Sequence, residues 1–340
     1  MRKILLFALL IPVIVSSCSK LPVDKPDRAI ALAADTLTLV TGSSASITSG
    51  NYSAADLLWS SADATIVSVS SGGLITALKP GQTTITVSNK KSTVSATCIV
   101  NVFALNQIWG KGTDIGVGAD SSIFVVGADI VASTGGHSIY KVVNNALKKL
   151  PDCGGAVRVA VSPQGVPWVV NKLNAIYKYN GTSWDQMPGT ATDIAIGANG
   201  SIFAIGTVRT VSPTGGYYIL QWNGTGWDTL FDCSGVHIAV SPQGIPWVVN
   251  LGNMVYQKET TGVLWDLMPG VSGNDIGIGA DGSVFVTGQD YNTPGYLPPI
   301  FKFVNNNWVP LDNVSGTSIA VSPKGVPFWI DKSNNIFKLR

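Results

Sequence analysis

Two short words alternate six times along the C-terminal two thirds of the chain, and this internal repeat restricts the fold more than any other feature. The first word is Asp114-Ile-Gly-Val-Gly118, Asp193-Ile-Ala-Ile-Gly197 and Asp275-Ile-Gly-Ile-Gly279. Between its copies fall Val161-Ser-Pro-Gln-Gly-Val-Pro-Trp168, Val240-Ser-Pro-Gln-Gly-Ile-Pro-Trp247 and Val321-Ser-Pro-Lys-Gly-Val-Pro-Phe328. Taken from Asp114, Arg158, Asp193, His237, Asp275 and Ser318, units 1 to 6 start 44, 35, 44, 38 and 43 residues apart, the length of a four-stranded blade. Unit 6 ends at Arg340 without the closing Trp-x-x-x-Pro-Gly seen at 184–189 and 265–270, while Leu105-Asn-Gln-Ile-Trp109-Gly110 precedes unit 1 as a spare strand. A ring of sheets must close or leave edges open. Residues 104–340 therefore read as a six-bladed β-propeller whose N-terminal strand completes the last blade.

The rest of the chain is also read as β. Only 12% of residues are charged, and 37 glycines with many Thr, Ser and Val favour strands joined by tight turns. Between 29 and 103 run seven short alternating stretches: 34–41, 44–48, 57–59, 66–70, 74–77, 83–87 and 95–102, a pattern suited to a sandwich. Its words are Leu58-Trp59-Ser60-Ser61, Ile66-Val67-Ser68-Val69, Gly73-Leu74-Ile75-Thr76-Ala77 and Gly81-Gln82-Thr83-Thr84-Ile85-Thr86-Val87, with Trp59 placed to fill the space between sheets. Their order resembles the group 2 bacterial immunoglobulin-like domain, which implies a module common in surface proteins, where it often serves as a spacer.

Arg2 and Lys3 followed by the apolar run Ile4–Val15 have the form of a secretory signal and are too short to span a bilayer. Val15-Ser16-Ser17-Cys18 resembles the lipobox of bacterial lipoproteins, which implies removal of residues 1–17 and lipidation of Cys18. Acylation would anchor the protein to a membrane, in the outer membrane or at the cell surface, with 18–28 as an extended tether holding two prolines. Loss of Arg2 and Lys3 leaves 20 basic against 20 acidic residues, so the mature chain lacks the charge of a nucleic-acid binder. Cys153 and Cys233 lie in matching strings, Asp152-Cys-Gly-Gly155 and Asp232-Cys-Ser-Gly235. Equivalent places in separated units do not touch, and Cys98 lies in an apolar strand, so no disulfide is expected.

The repeated Ile-Ala-Val-Ser-Pro-x-Gly-x-Pro-Trp, Ile-Gly-Ala-Asp-Gly-Ser-Val-Phe and Trp-Asp-x-Met-Pro-Gly resemble tectonin repeats over 105–340. That resemblance implies a lectin, since tectonin-like propellers include binders of lipopolysaccharide or modified sugars. Odd and even units differ, so sites would number three instead of six. Trp184-Asp185, Trp227-Asp228 and Trp265-Asp266 match the Trp-Asp ending of another propeller class, but that class needs a Gly-His earlier in each blade, and here Gly136-His137 lies in a loop while His237 follows Val236.

In such a ring the second-to-third-strand connections share a face with the links between units, and in odd units they are long: 127–137, 206–217 and 288–299. They carry His137, Tyr217, Tyr291 and Tyr296, whose rings could stack on sugars, while Asn171, Asn250 and Asp331 in the matching even turns could add a polar rim. Trp168, Trp247 and Phe328 are expected to pack between blades, and Asp114, Asp193 and Asp275 to tie turns through backbone N–H groups. The single glutamate, Glu259, and repeat-bound aspartates leave no asymmetric acid pair, and no metal spacing, phosphate loop or nucleophile elbow is present. The expectation is a non-enzymatic, cofactor-free binder of glycan or lipopolysaccharide, or else an adhesion or assembly module that grips a protein.

Overall fold

A computed structural model describes residues 28–210, 215–262, 264–289 and 295–340, apart from the side chains of Asp232 and Asp312. The lipidation candidate Cys18 and the ring of Tyr291 lie outside the described residues. The described chain is all β, with one 3-10 turn at Ala54–Asp56.

Seven strands form the N-terminal sandwich. One sheet orders Thr36–Val40, Ser95–Phe103, Gly81–Asn89 and Leu57–Ser61; the other orders Ser44–Ser46, Leu74–Ala77 and Val67–Val69. Alternation along Gly81–Asn89 sends Thr83, Ile85, Val87 and Asn89 inward. Ile85 joins Leu39, Val67, Ile75, Cys98 and Val100 in the core, against which Trp59 packs.

Each of units 2 to 5 is a four-stranded antiparallel sheet in sequence order, as in Ala156–Val161, Pro167–Asn171, Ala175–Tyr179 and Trp184–Thr190. The long strand Leu105–Val117 serves two sheets. Its start pairs with Asn335–Leu339, Leu105 opposite Leu339, and its end pairs with Ile123–Gly127 in unit 1. The first strands of successive units stand side by side, and that of unit 6 stands beside that of unit 1.

This close approach explains the small residues of the repeat. Gly116, Ala160, Ala195, Ala239, Gly277 and Ala320 line an axial channel of only about 80 Å³. A Cβ on Gly116 would lie 2.9 Å from the Val159 carbonyl oxygen of the next unit, too close for any side chain. The intervening Ile115, Val159, Ile194, Ile238, Ile276 and Ile319 are buried. So narrow an axis cannot hold a sugar, whose pocket needs several hundred Å³.

The aromatic words seal neighbouring units. Trp168 meets Trp222 edge-on at 6.1 Å, and Trp247 meets Phe303 at 5.6 Å, while the Trp184 and Trp227 indoles each donate to a proline carbonyl of the preceding unit at 2.8 Å.

The sandwich joins the propeller with no spacer between them. Ala104 and Arg340 exchange backbone hydrogen bonds at 2.8 and 2.9 Å, and Val40 and Phe103 enter a cluster with Phe285, Leu311, Trp329 and Leu339. Thr38, Asn101 and Phe103 share a cavity with Asp281, Ser283, Lys324 and Gly325, which flank first-to-second-strand turns. The sandwich thus docks on the face opposite the long loops.

Candidate functional site

Two features concern function: a ring of polar side chains at the axis and a cleft on the flank of unit 3. The ring consists of the six residues that start the units. The sequence places Asp114, Asp193 and Asp275 as ties for their own turns, and Asp193 and Asp275 do accept the N–H of the following Ile194 and Ile276 at 2.9 Å, but all three make a longer-range link as well. Each reaches into the next unit, accepting the N–H of Val159, Ile238 and Ile319 at 2.8, 3.1 and 2.9 Å. The closeness that excludes a side chain at Gly116 puts a neighbouring strand's N–H within reach of a short carboxylate.

The even units supply the intervening members. The Arg158 guanidinium lies 3.6 Å from Asp114 and 3.5 Å from Asp193, and His237 Nδ1 lies 3.3 Å from Asp193 and 3.7 Å from Asp275. Ser318 donates its hydroxyl to Asp114 at 2.9 Å. Burial raises the Asp114 carboxyl; Arg158 opposes this, and the Asp275 and Asp193 charges add to it, leaving Asp114 at about 7. Burial would lower Arg158, but the carboxylates of Asp114, Asp193 and Asp275 outweigh it and hold the guanidinium above its ordinary value.

The cleft holds about 370 Å³ and is lined by Gly189 and Thr190 of unit 2 and by Thr207, Val208, Tyr218, Leu220, Trp227, Thr229 and Phe231 of unit 3. Tyr218 and Phe231 stand edge to face at 5.7 Å, and Phe231 is 73% exposed. The Thr190 and Thr207 hydroxyls are 2.9 Å apart at its rim. Gly189, with φ +84°, brings its backbone against the Trp227 indole, where a Cβ would lie 2.8 Å from the ring. Among the described residues no charged side chain lines the cleft.

Among the described residues, those chosen from sequence fall one to a unit, from His137 in unit 1 to Asp331 in unit 6. The His137 ring nitrogen is 2.7 Å from the Asp129 carbonyl, and its backbone bridges to Ala156. Tyr217 packs against the unit 3 core, and Tyr296 lies under the Lys332 ammonium at 6.0 Å. Asn171 and Asn250 are buried and form no exposed rim. Asn171 accepts N–H groups from Leu173 and Ala175, and Asn250 accepts from Met254, so both tie their own turns. Asp331 does the same with Ser333 and Asn335.

Sequence reasoning missed Tyr218, Trp227 as a cleft wall, and Phe231. A signal existed: Ile219 is a core position, so in a strand Tyr218 must face away from it. Phe231 also stands where unit 1 has Pro151, just before the shared Asp-Cys.

Fold and cleft define a propeller-based binding module. Residues 127–296 match the tectonin domain, half the chain, and the protein belongs to that family. Residues 26–100 match the bacterial Ig-like domain (group 2). No curated protein matches significantly. Among solved structures, an auxiliary nutrient binding protein from Bacteroides ovatus is 12% identical, with TM-score 0.45 over 93% of this chain and 99% of that one. YCF48 bound to D1 peptide is 17% identical, with TM-score 0.42 over 69% and 80%, and the WD40 propeller domain of Doa1 is 11% identical, with TM-score 0.43 over 69% and 95%.

Proposed function

We propose that the protein is an exported, lipid-anchored lectin in which a six-bladed propeller, closed by residues 105–111, binds glycan and the Ig-like domain holds it off the membrane. The observation that carries this reading is the flank cleft, which three aromatic side chains and three threonines line with no charge among the described residues. Aromatic faces suit the C–H faces of a neutral sugar, and hydroxyls suit its polar edge. The docked position of the sandwich supports the arrangement, because a tether leaving residue 28 would leave the loop face pointing outward. No catalytic role is assigned to the acids, since those of the axial ring are engaged in links between units.

The test is a glycan array probed with residues 19–340, including bacterial polysaccharides, lipopolysaccharide and methylated sugars, followed by titration of the best hit. Binding that Tyr218→Ala and Phe231→Ala abolish supports the lectin reading; binding untouched by both removes the cleft from it. A second reading, a protein-binding platform, draws on exposed Ile130, Leu173, Leu251 and Leu297 in the second-to-third-strand connections of four units. Silence across the array together with retention of a protein partner would favour it.

A further inference from the structure

We propose that the cavity between the sandwich and units 5 and 6 is an anion site, which takes one acidic sugar residue by its carboxylate or phosphate group. It lies apart from the flank cleft of unit 3, and it holds whatever that cleft binds.

The repeat builds the floor of this cavity three times. Where an odd unit meets the even unit after it, an aromatic of the second strand pairs with a residue of the third: Phe124 with Lys141, Phe203 with Gln221 and Phe285 with Lys302. The Ser-Pro-x-Gly turn of the even unit supplies Gln164, Gln243 or Lys324. Its glycine, Gly165, Gly244 or Gly325, packs against Asp120, Asn199 or Asp281 of the odd unit. The three places thus carry one, no and two lysines. The place with two is roofed by Thr38, Asn101 and Phe103 of the sandwich, which close it into a cavity of about 300 Å³. Domain interfaces of this kind are favoured positions for small-molecule sites.

The side chains left without partners here are donors. Asp281 is the one acid in the lining among the described residues, and it turns both oxygens to its own turn, accepting the Ser283 N–H at 3.0 Å and hydroxyl at 2.8 Å. Among the described residues no carboxylate comes within 4.0 Å of the Lys302 or Lys324 ammonium. The Asn101 oxygen accepts from Gln82 at 2.8 Å, which leaves its amide N–H groups unused. Two ammoniums, an amide and the Thr38 hydroxyl therefore remain, and a carboxylate or phosphate is the acceptor that such a set fits. The Lys302 ammonium is steadied 5.5 Å from the centre of the Phe285 ring, itself part of the wall. Phe103, Phe285, Leu311 and Leu339 make the rest of the lining apolar, a surface for the C–H face of a sugar ring. A ligand held here touches both domains, so binding favours the docked position of the sandwich.

Titration calorimetry of residues 19–340 at low ionic strength, with glucuronate, galacturonate, glucose 6-phosphate and glucose, tests the site. At least one of the three anions should bind about tenfold or more tightly than glucose. Preference for a uronate marks a carboxylate site, and preference for the sugar phosphate a phosphate site. Lys302→Gln and Lys324→Gln should each weaken the best anion by roughly tenfold, and Asn101→Ala should weaken it from the sandwich side. Lys141→Gln, which removes the matching lysine of unit 1, should change nothing. Unit 3 has glutamine at both places, Gln221 and Gln243, so the fold accommodates these substitutions. Saturating anion should raise hydrogen-exchange protection of 36–40 and 101–103. Failure of all three anions to bind at about 10 mM would overturn the proposal, as would glucose binding equally well or affinity that survives both Lys302→Gln and Lys324→Gln.

Discussion

Ser318 donates its hydroxyl to the Asp114 carboxylate at 2.9 Å, joining two residues 204 positions apart. Each end is also held by backbone: the Ser318 strand pairs with Pro327–Ile330, and Asp114 accepts the Val159 N–H. Ser318→Ala should therefore leave the fold intact while removing a buried donor from a carboxylate that has few. The expected loss is about 1.5–3 kcal/mol by urea unfolding at neutral pH. No measurable loss would mean that the pairing of 105–111 with 335–339 carries the closure by itself.

Phe231 and Tyr217 separate binding from stability. Phe231 projects into solvent at the cleft edge, so Phe231→Ala should change unfolding free energy by less than about 0.5 kcal/mol. It should weaken the best glycan on the array by roughly tenfold or more, as loss of an aromatic anchor does. Tyr217 lies against the core with Ile219 and Cys233, so Tyr217→Ala should cost about 2–3 kcal/mol and leave affinity in the folded fraction unchanged. Parallel unfolding curves and titrations check both, and the opposite pattern would return the site to the loop residue named from sequence.

The contrast shows which parts of the structure were legible. The repeat could be read because every unit must present a small residue to the axis and a branched one to its neighbour, so Gly116 and Ile115 recur as a pattern. The contacts made by the repeat starts could not, since periodicity locates Asp114 and Ser318 without saying that the ring brings them together. Loop membership points to Tyr217, whereas strand phase, with Ile219 in the core, turns Tyr218 outward to the cleft. Asn171 and Asn250 looked like rim residues because asparagine in a turn is usually solvated. Here the turns end in Asn174 and Asn253 at φ +64° and +60°, and the first asparagine folds inward to satisfy their N–H groups.

The turn asparagines have a measurable consequence of their own. Asn171→Ala removes the acceptor for two backbone N–H groups at a buried place, with an expected cost of about 1–3 kcal/mol. Glycan binding should be unaffected. A variant of native stability with lost binding would put Asn171 back among recognition residues.

Thiol chemistry gives a separate check on the cores. Burial pushes Cys98 to about 11, the Asp35 charge adding to it, and burial with the Asp152 charge does the same for Cys153. Cys233 is buried in another cluster. Reaction with a thiol reagent requires thiolate and access, so at pH 8 the native chain from residue 19 should show almost no labelling over an hour, and three thiols should react once it is unfolded. Fast labelling of one native thiol would show that its unit opens locally.

Phe103 decides whether the sandwich is a rigid stand or a swinging one. It sits two residues before the first propeller strand and packs with Val40 against Phe285, Leu311 and Leu339. Phe103→Ala removes the largest ring that the sandwich offers to this cluster, with an expected cost of about 2 kcal/mol for a half-buried aromatic. The coupling between domains should suffer more than either core, because Ile75 and Ile85 of the sandwich and the axial layers of the propeller lie elsewhere. Calorimetry should then show one transition in the native chain and two in the variant, the first small enough for a 75-residue sandwich. A single transition in both would mean that the Ala104–Arg340 bonds and the continuous strand at 105 suffice to unfold the domains together, and that the propeller is held at a fixed angle without Phe103.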